Sequence, residues 1–245
     1  MINSLHLSMK DFLKIGHRGA KGHIAENTLE SIQKALEIGV DLIEIDVHKC
    51  ASEEIWVIHD FTLDRTTNGS GEIAKREASE LKKLKVEAKY KIPLLSEVLD
   101  LIEGKCDINI ELKGLNTAQP VCREIWQRIE SGKWKYSNFL VSSFQKNELF
   151  EVRKLDQQVP LGILSKASVP EAIELGKRLN AYAIHPSLGI ITRDNTKLSQ
   201  EAGFKVNVWT VNEREDILRM LEFGVDGIIS DFPNRLHNPL LHLNP

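Results

Sequence analysis

Four short strings in this chain bring together residue types that can do chemistry: His17-Arg18-Gly19, Glu44-Ile45-Asp46, His59-Asp60 and Glu111-Leu112-Lys113. Residues two apart on an extended strand leave the same face, so Glu44 pairs with Asp46 and Glu111 with Lys113. If those faces converge, three carboxylates meet, and without a partner they repel one another and raise each other's pKa. A hard divalent cation resolves the conflict, and carboxylate oxygens suit Mg²⁺, Ca²⁺ and Mn²⁺ alike. Taken pair by pair, a buried ion-pair network with no metal explains the same residues. His17 and His59 tip the reading toward catalysis, because imidazoles titrating near neutrality can serve as acid and base on either side of a reacting group. Arg18 and Lys113 add two cations, which suits a substrate that carries a phosphate. Alone, Arg18 reads as a salt bridge holding the barrel rim, with Glu26 a candidate partner.

Such a set needs a scaffold that presents strand ends side by side. Apolar runs occur at Phe12 to Ile15, Leu42 to Val47, Ile55 to Ile58, Ile108 to Leu112, Phe139 to Ser142, Leu161 to Leu164, Tyr182 to Ile184, Lys205 to Trp209 and Gly227 to Ser230, mostly with helical stretches between them. That alternation is the mark of βα units around a parallel sheet. Too few residues separate the second run from the third for a parallel crossover, so the third is expected to return antiparallel, with its turn near Ser52 and Glu53. Eight parallel strands remain, and the chain is read as an α/β protein, a (β/α)8 TIM barrel with a β-hairpin and a small insertion after the second barrel strand. The insertion is placed at approximately 47–92, loosest from Thr62 to Tyr90, and is expected over the barrel mouth. In this architecture the strand ends are where active sites gather.

Helix signals fit the same plan. Asn27 followed by Glu30 resembles a capping box, Leu29, Ile32, Ala35 and Leu36 form an apolar stripe, and Gly39 ends it; Asn212, Glu215 and Gly224 bound a second helix in the same way. Both helices exit through a shared G-V-D-x-I-x-x-D pattern, at Gly39 to Asp46 and Gly224 to Asp231, as two helix-to-strand corners of one barrel would. No linker divides the 245 residues, so a single domain over 1–245 is expected, with a Pro-rich tail from Pro233 straying over the surface.

Composition excludes several classes. A formal net charge of −3 with 27% charged and 42% hydrophobic residues fits neither a basic nucleic-acid binder nor an acidic disordered chain. The three cysteines, Cys50, Cys106 and Cys122, lack zinc or disulfide spacing and suit a reducing, cytoplasmic setting. Charges interrupt the residues from Met1 to Lys14, so no secretion signal is read, and no apolar run is long enough to span a bilayer. Stable membrane insertion is therefore not expected, and oligomeric state is open.

The ordered set of strings resembles the glycerophosphodiester phosphodiesterase family: H-R-G at 17–19, E-N-T at 26–28, E-x-D at 44–46, H-D at 59–60, R-T-T-N-G-S-G at 65–71, I-P-L-L-S-E-V-L at 92–99, E-L-K at 111–113, S-S-F at 142–144, V-W-T-V-N at 208–212 and D-G-I-I-S-D at 226–231. The resemblance implies hydrolysis of small-molecule glycerophosphodiesters to sn-glycerol 3-phosphate and an alcohol with one divalent metal ion. It implies Glu44, Asp46 and Glu111 as metal ligands, His17 and His59 as acid and base, and Arg18 and Lys113 on the phosphate. Asn27 lies near the site in that pattern as well as at a helix start. Phe144 and Trp209, just past strand ends, are candidate pocket walls or ordinary rim packing. His185 is read as structural, and His23, His48 and His237 as loop or surface residues. Two other readings stand beside this one: a lysophospholipase D-like enzyme acting on lipid diesters, for which an apolar mouth would speak, and a barrel that binds without catalysis.

Overall fold

A computed structural model describes residues 11–239. Strands β1 (Leu13–Gly16), β2 (Leu42–Lys49), β3 (Ile55–Val57), β4 (Asp107–Leu112), β5 (Phe139–Ser143), β6 (Leu161–Ser165), β7 (Ala183–Pro186), β8 (Lys205–Val208) and β9 (Gly227–Ser230) form one sheet. All but β3 run parallel in the order β1-β2-β4-β5-β6-β7-β8-β9, and the β9–β1 pairing closes the ring into an eight-stranded barrel. Strand β3 returns antiparallel on β2, with Val47 opposite Val57 and Glu53 in a left-handed turn conformation at φ 75°. The fold expected from the run pattern is therefore the fold observed. Boundaries shifted by a residue or two, most visibly at β1 and β7, where the strand begins one residue later and runs further toward the mouth.

Helices α1 (Leu29–Ile38), α3 (Leu95–Ile102), α4 (Ala118–Glu130), α5 (Lys146–Leu155), α6 (Val169–Leu179), α7 (Arg193–Glu201) and α8 (Arg214–Phe223) connect successive barrel strands, while the short α2 (Ala78–Leu81) lies in the insertion. Alternation decides which side chains meet the helices. On β2, Ile43, Ile45 and Val47 point outward into the largest apolar cluster, and Glu44, Asp46 and His48 take the other face. The lumen is floored by Ile15, Leu42 and Ile229. Above that floor it departs from the usual apolar filling of such barrels: Asn109, Ser142, His185 and Asn207 are all buried. Gly162 makes room for this layer, because a Cβ there would come within 3.0 Å of His185 Nε2.

Three local expectations needed correcting. The start of α1 is capped by Thr28, whose hydroxyl accepts from Ser31 N at 3.1 Å, and not by Asn27. At α8 the cap position is Glu213, and Asn212 instead spends its amide on Asp231. The segment after β9 does not stray over the surface as far as it is described: Pro233–Leu236 form a 3₁₀ turn that buries Pro233 and Leu236. The expectation about a secretion signal falls mainly on residues 1–10, and the tail beyond residue 239 likewise lies outside the described residues. Among the described residues, no helix is long and apolar enough to cross a membrane.

The insertion has its own small core, in which Trp56, Ile58, Leu63, Ile73, Leu81, Val86 and Ile92 pack with Ala25 and Cys50. Ala25 belongs to the loop between β1 and α1, so this cluster fixes the insertion against a loop of the barrel mouth.

Candidate active site

The register of the barrel brings the four strings together. Asp46 on β2 is the direct lateral neighbour of Glu111 on β4, and Glu44 is level with Asn109. Glu44, Asp46 and Glu111 are all buried, and each offers a carboxylate oxygen within 4.8 Å of those of the other two. His17 follows β1 on the opposite flank, with Nε2 3.9 Å from Glu44 Oε2. Lys113 lies 2.7 Å from Glu111 Oε1 and 3.6 Å from Asp46 Oδ1.

Electrostatics divide the three carboxylates. Burial, then the charges of Asp46 and Glu111, push the Glu44 carboxyl well above its ordinary range. Glu111 is raised for the same reasons, burial first and Asp46 second, to about 7. Burial acts on Asp46 as well, but Arg18 and then Lys113 outweigh it and bring that carboxyl down to about 2. So with only protein charges present, the site holds one firmly ionised carboxylate and two that resist ionisation. Glu44 Oε1 has no hydrogen-bond partner although it is buried, and a buried polar atom left bare is costly. An oxygen-rich, net-acidic cluster with an orphaned oxygen fits a hard divalent cation and fits softer metals poorly.

Arg18 is seated in the turn that follows β1. It occupies the left-handed region at φ 51°, which costs a non-glycine residue energy, and is held there by its own surroundings. Its backbone N–H donates to Glu44 Oε2 at 2.9 Å, its Nη1 donates to Glu26 Oε1 at 2.7 Å, and its Nε lies 3.2 Å from Asp46 Oδ2. The rim bridge to Glu26 thus exists alongside the contact with the acidic cluster, and neither excludes the other. Asn27, also left-handed at φ 57°, clasps Asp46: its Nδ2 donates to Oδ2 at 2.9 Å, and its Oδ1 accepts from the Asp46 N–H at 3.3 Å. Asparagine is among the residues that tolerate this conformation best.

Each histidine carries a carboxylate behind it; Asp60 and Asp231 stand within the H-D and D-G-I-I-S-D strings, but the sequence alone gives neither a role. His17 Nδ1 lies 2.5 Å from Asp231 Oδ1, and His59 Nδ1 lies 2.5 Å from Asp60 Oδ1. A carboxylate at Nδ1 selects the tautomer with its proton there, leaving Nε2 as the free nitrogen. Burial lowers the pKa of both rings, opposed at His17 by the Asp231 hydrogen bond and at His59 by the charge of Asp46. Asp231 was visible as the last residue of the repeated corner pattern, and the same pattern ends at Asp46 on β2. That parallel was the available signal. His48 was expected on a loop or surface and is instead buried on β2, where its Nε2 donates to the His59 carbonyl at 3.1 Å. It continues the inward alternation of Glu44 and Asp46. His23 and His237 are exposed, as expected.

The rings of Phe144 and Trp209 meet edge to face at 5.5 Å, and Lys113 Nζ lies 5.6 Å from the Phe144 ring centre. Phe144 therefore lies beside Lys113, with Trp209 against its ring and donating through Nε1 to the His185 carbonyl at 2.8 Å. His185 sits below, fully buried, with Nε2 3.1 Å from Asn207 Nδ2 and outside the acidic group.

The family model described as the glycerophosphoryl diester phosphodiesterase family matches residues 17–235. The chain belongs to that family. It is a phosphodiesterase by membership. A glycerophosphodiester phosphodiesterase from Caldanaerobacter subterraneus is 35% identical over 235 residues, covering 92% of this chain and 96% of the relative. A phosphodiesterase from Oleispira antarctica, solved in complex with the product sn-glycerol-3-phosphate, superposes with a TM-score of 0.84 at 26% identity, covering 95% of this chain and 97% of that one. The mouse protein named lysophospholipase D GDPD1 is 24% identical over 276 residues.

Proposed function

We propose that the protein hydrolyses glycerophosphodiesters to sn-glycerol 3-phosphate and an alcohol, with His17 and His59 as the acid/base pair and one divalent cation held by Glu44, Asp46 and Glu111. The observation that carries this reading is the convergence of three buried carboxylates, with Glu44 Oε1 and Asp46 Oδ1 lacking hydrogen-bond partners, between two histidines that each have a carboxylate at Nδ1. When bound, the cation would offset charge building up on the phosphoryl oxygens. Arg18 and Lys113 add fixed positive charge on the same side.

In the proposed sequence, the free Nε2 of one histidine takes the proton of the glycerol hydroxyl adjacent to the phosphate. That oxygen attacks phosphorus, the bond from phosphorus to the alcohol oxygen breaks, and the second histidine, which enters the step as imidazolium protonated on both nitrogens, donates its Nε2 proton to the departing alkoxide. A cyclic phosphate results. The second histidine, now neutral, takes a proton from water, which opens the ring, and the first returns its proton to the glycerol oxygen. Atoms and protons balance over the two steps, and both rings end as they began. Phe144 and Trp209 would wall the organic part of the substrate, and Asn27 would keep Asp46 turned toward the cation. The whole chain, 1–245, is proposed to work as one barrel unit with approximately 47–92 as its insertion, in the cytoplasm. The free, buried Cys50, Cys106 and Cys122 support that setting.

Lipid diesters are the second reading, favoured by Phe61 and Leu115. These side chains are 58% and 66% exposed, each two residues past a site residue, and they border a groove of about 560 Å³. Comparing turnover of glycerophosphocholine with that of lysophosphatidylcholine decides between them. Faster turnover of the water-soluble diester supports the first reading; turnover of the lipid alone supports the second.

A further inference from the structure

One side chain of the insertion touches both halves of the proposed machinery without touching the acidic cluster. Arg65 donates through Nε and Nη2 to Asp60, at 2.5 Å and 3.0 Å, and through Nη1 and Nη2 to Glu26, at 3.2 Å and 2.7 Å. Asp60 Oδ1 is the oxygen that meets His59 Nδ1, and Glu26 Oε1 is the oxygen that accepts from Arg18 Nη1. A continuous chain therefore runs from His59 through Asp60, Arg65 and Glu26 to Arg18. Glu26 lies in the loop between β1 and α1, and Asp60 in the segment after β3, so neither stands on a regular element that would fix it relative to the other. Arg65 is the hydrogen-bonded tie between them.

We propose that Arg65 is a positioning residue that sets His59 and Arg18 in one register, so that the acid/base group and the phosphate clamp stay aligned on a single phosphorus. The inference rests on the roles given above to His59 and Arg18. Guanidinium chemistry explains why arginine is needed: its planar fork engages both carboxylates through two nitrogens each, whereas an ammonium is a point charge that cannot span them. Both carboxyls are held below their ordinary range, in accord with that geometry: Asp60 chiefly by its hydrogen bonds from Arg65, and Glu26 because the bonds from Arg65 and the charge of Arg18 together outweigh burial.

Two links can be cut separately. Asp60→Asn loosens the grip on His59 and is expected to lower kcat on glycerophosphocholine with little change in KM. Glu26→Gln loosens the grip on Arg18 and is expected to raise KM about tenfold, the worth of one charged hydrogen bond. Arg65→Gln should do both, with kcat/KM falling about 10²-fold, the scale of a small misplacement of catalytic groups. Arg65→Lys should recover only part of this loss, and guanidinium ion added to Arg65→Ala should restore activity while leaving the wild type unchanged. A residue that merely anchors the insertion would behave differently: Arg65→Gln would lower the melting temperature and keep wild-type kcat and KM at temperatures where it is folded. That result, or a failure of guanidinium to rescue folded Arg65→Ala, overturns the proposal. Wild-type protein measured in parallel separates the two levels of the argument. No turnover by wild type removes the functional reading and the positioning role with it; turnover by wild type together with unaltered Arg65→Gln removes only the positioning role.

Discussion

Asp46 shows how a single side chain is specified from several directions. It takes charge from Arg18 and Lys113 and a hydrogen bond from Asn27 while buried, and so stays ionised to lower pH than Glu44 and Glu111. The histidines follow a similar logic with fewer partners. Replacing either His17 or His59 with Ala is predicted to lower kcat by about 10² to 10⁴, the usual contribution of a positioned acid or base. Circular dichroism should show the fold intact, and a variant with near-wild-type turnover would remove that histidine from the mechanism. The strings containing these residues were legible because their spacing puts like-facing residues at strand ends. Their supporting partners were not. Asp231 and Asp60 meet the histidines through contacts of very different sequence separation, and Asn27 read as a cap because its neighbour Thr28 has the same capping chemistry. His48 was misread for a related reason: β2 runs two residues beyond its apolar stretch, and a polar residue near a strand end looks like loop.

At the level of elements, the barrel strands were placed by apolar runs, and the hairpin by simple chain length. The repeated G-V-D pattern turned out to be a structural clip. Asp41 accepts from Lys14 N at 2.8 Å while its own N–H donates to the Lys14 carbonyl at 2.9 Å, and Asp226 makes the same pair of bonds with Val206, at 3.0 Å and 2.8 Å. Each clip locks the start of a strand to its neighbour, which fixes where the far end, and hence Asp46 or Asp231, arrives at the mouth. The N-terminus of α1 offers a direct test of local wiring. Thr28 is fully buried, caps Ser31 N, and donates to the Ala25 carbonyl at 2.7 Å. Thr28→Ala should cost about 1 kcal/mol of stability in urea unfolding, with unchanged stability arguing against the cap.

Across the whole molecule, the polar layer inside the barrel has a consequence for acid stability. Burial depresses the pKa of His185 to about 4, below the 6.5 of a free imidazole. A base with a depressed folded pKa stabilises the fold above its unfolded pKa, and that stabilisation is lost as pH falls. The loss therefore runs from about pH 6.5 down to about 4 and amounts to something on the order of 3 kcal/mol for complete burial. His185→Gln should flatten the fall in unfolding free energy between those pH values, and an unchanged slope would place the acid sensitivity elsewhere. The closed barrel was legible because eight strands in a chain of this length leave few other topologies, while the packing of the segment after β9 was hidden by its prolines and asparagines. The central claim, a cation held by Glu44, Asp46 and Glu111 serving phosphodiester hydrolysis, is tested most directly by one assay. Release of glycerol 3-phosphate from glycerophosphocholine is measured on protein treated with EDTA, and again after Mg²⁺, Ca²⁺ or Mn²⁺ is restored separately. The prediction is that EDTA abolishes release and at least one ion restores it in wild type but not in Glu44→Gln; full activity in EDTA, or restoration in that variant equal to wild type, would contradict it.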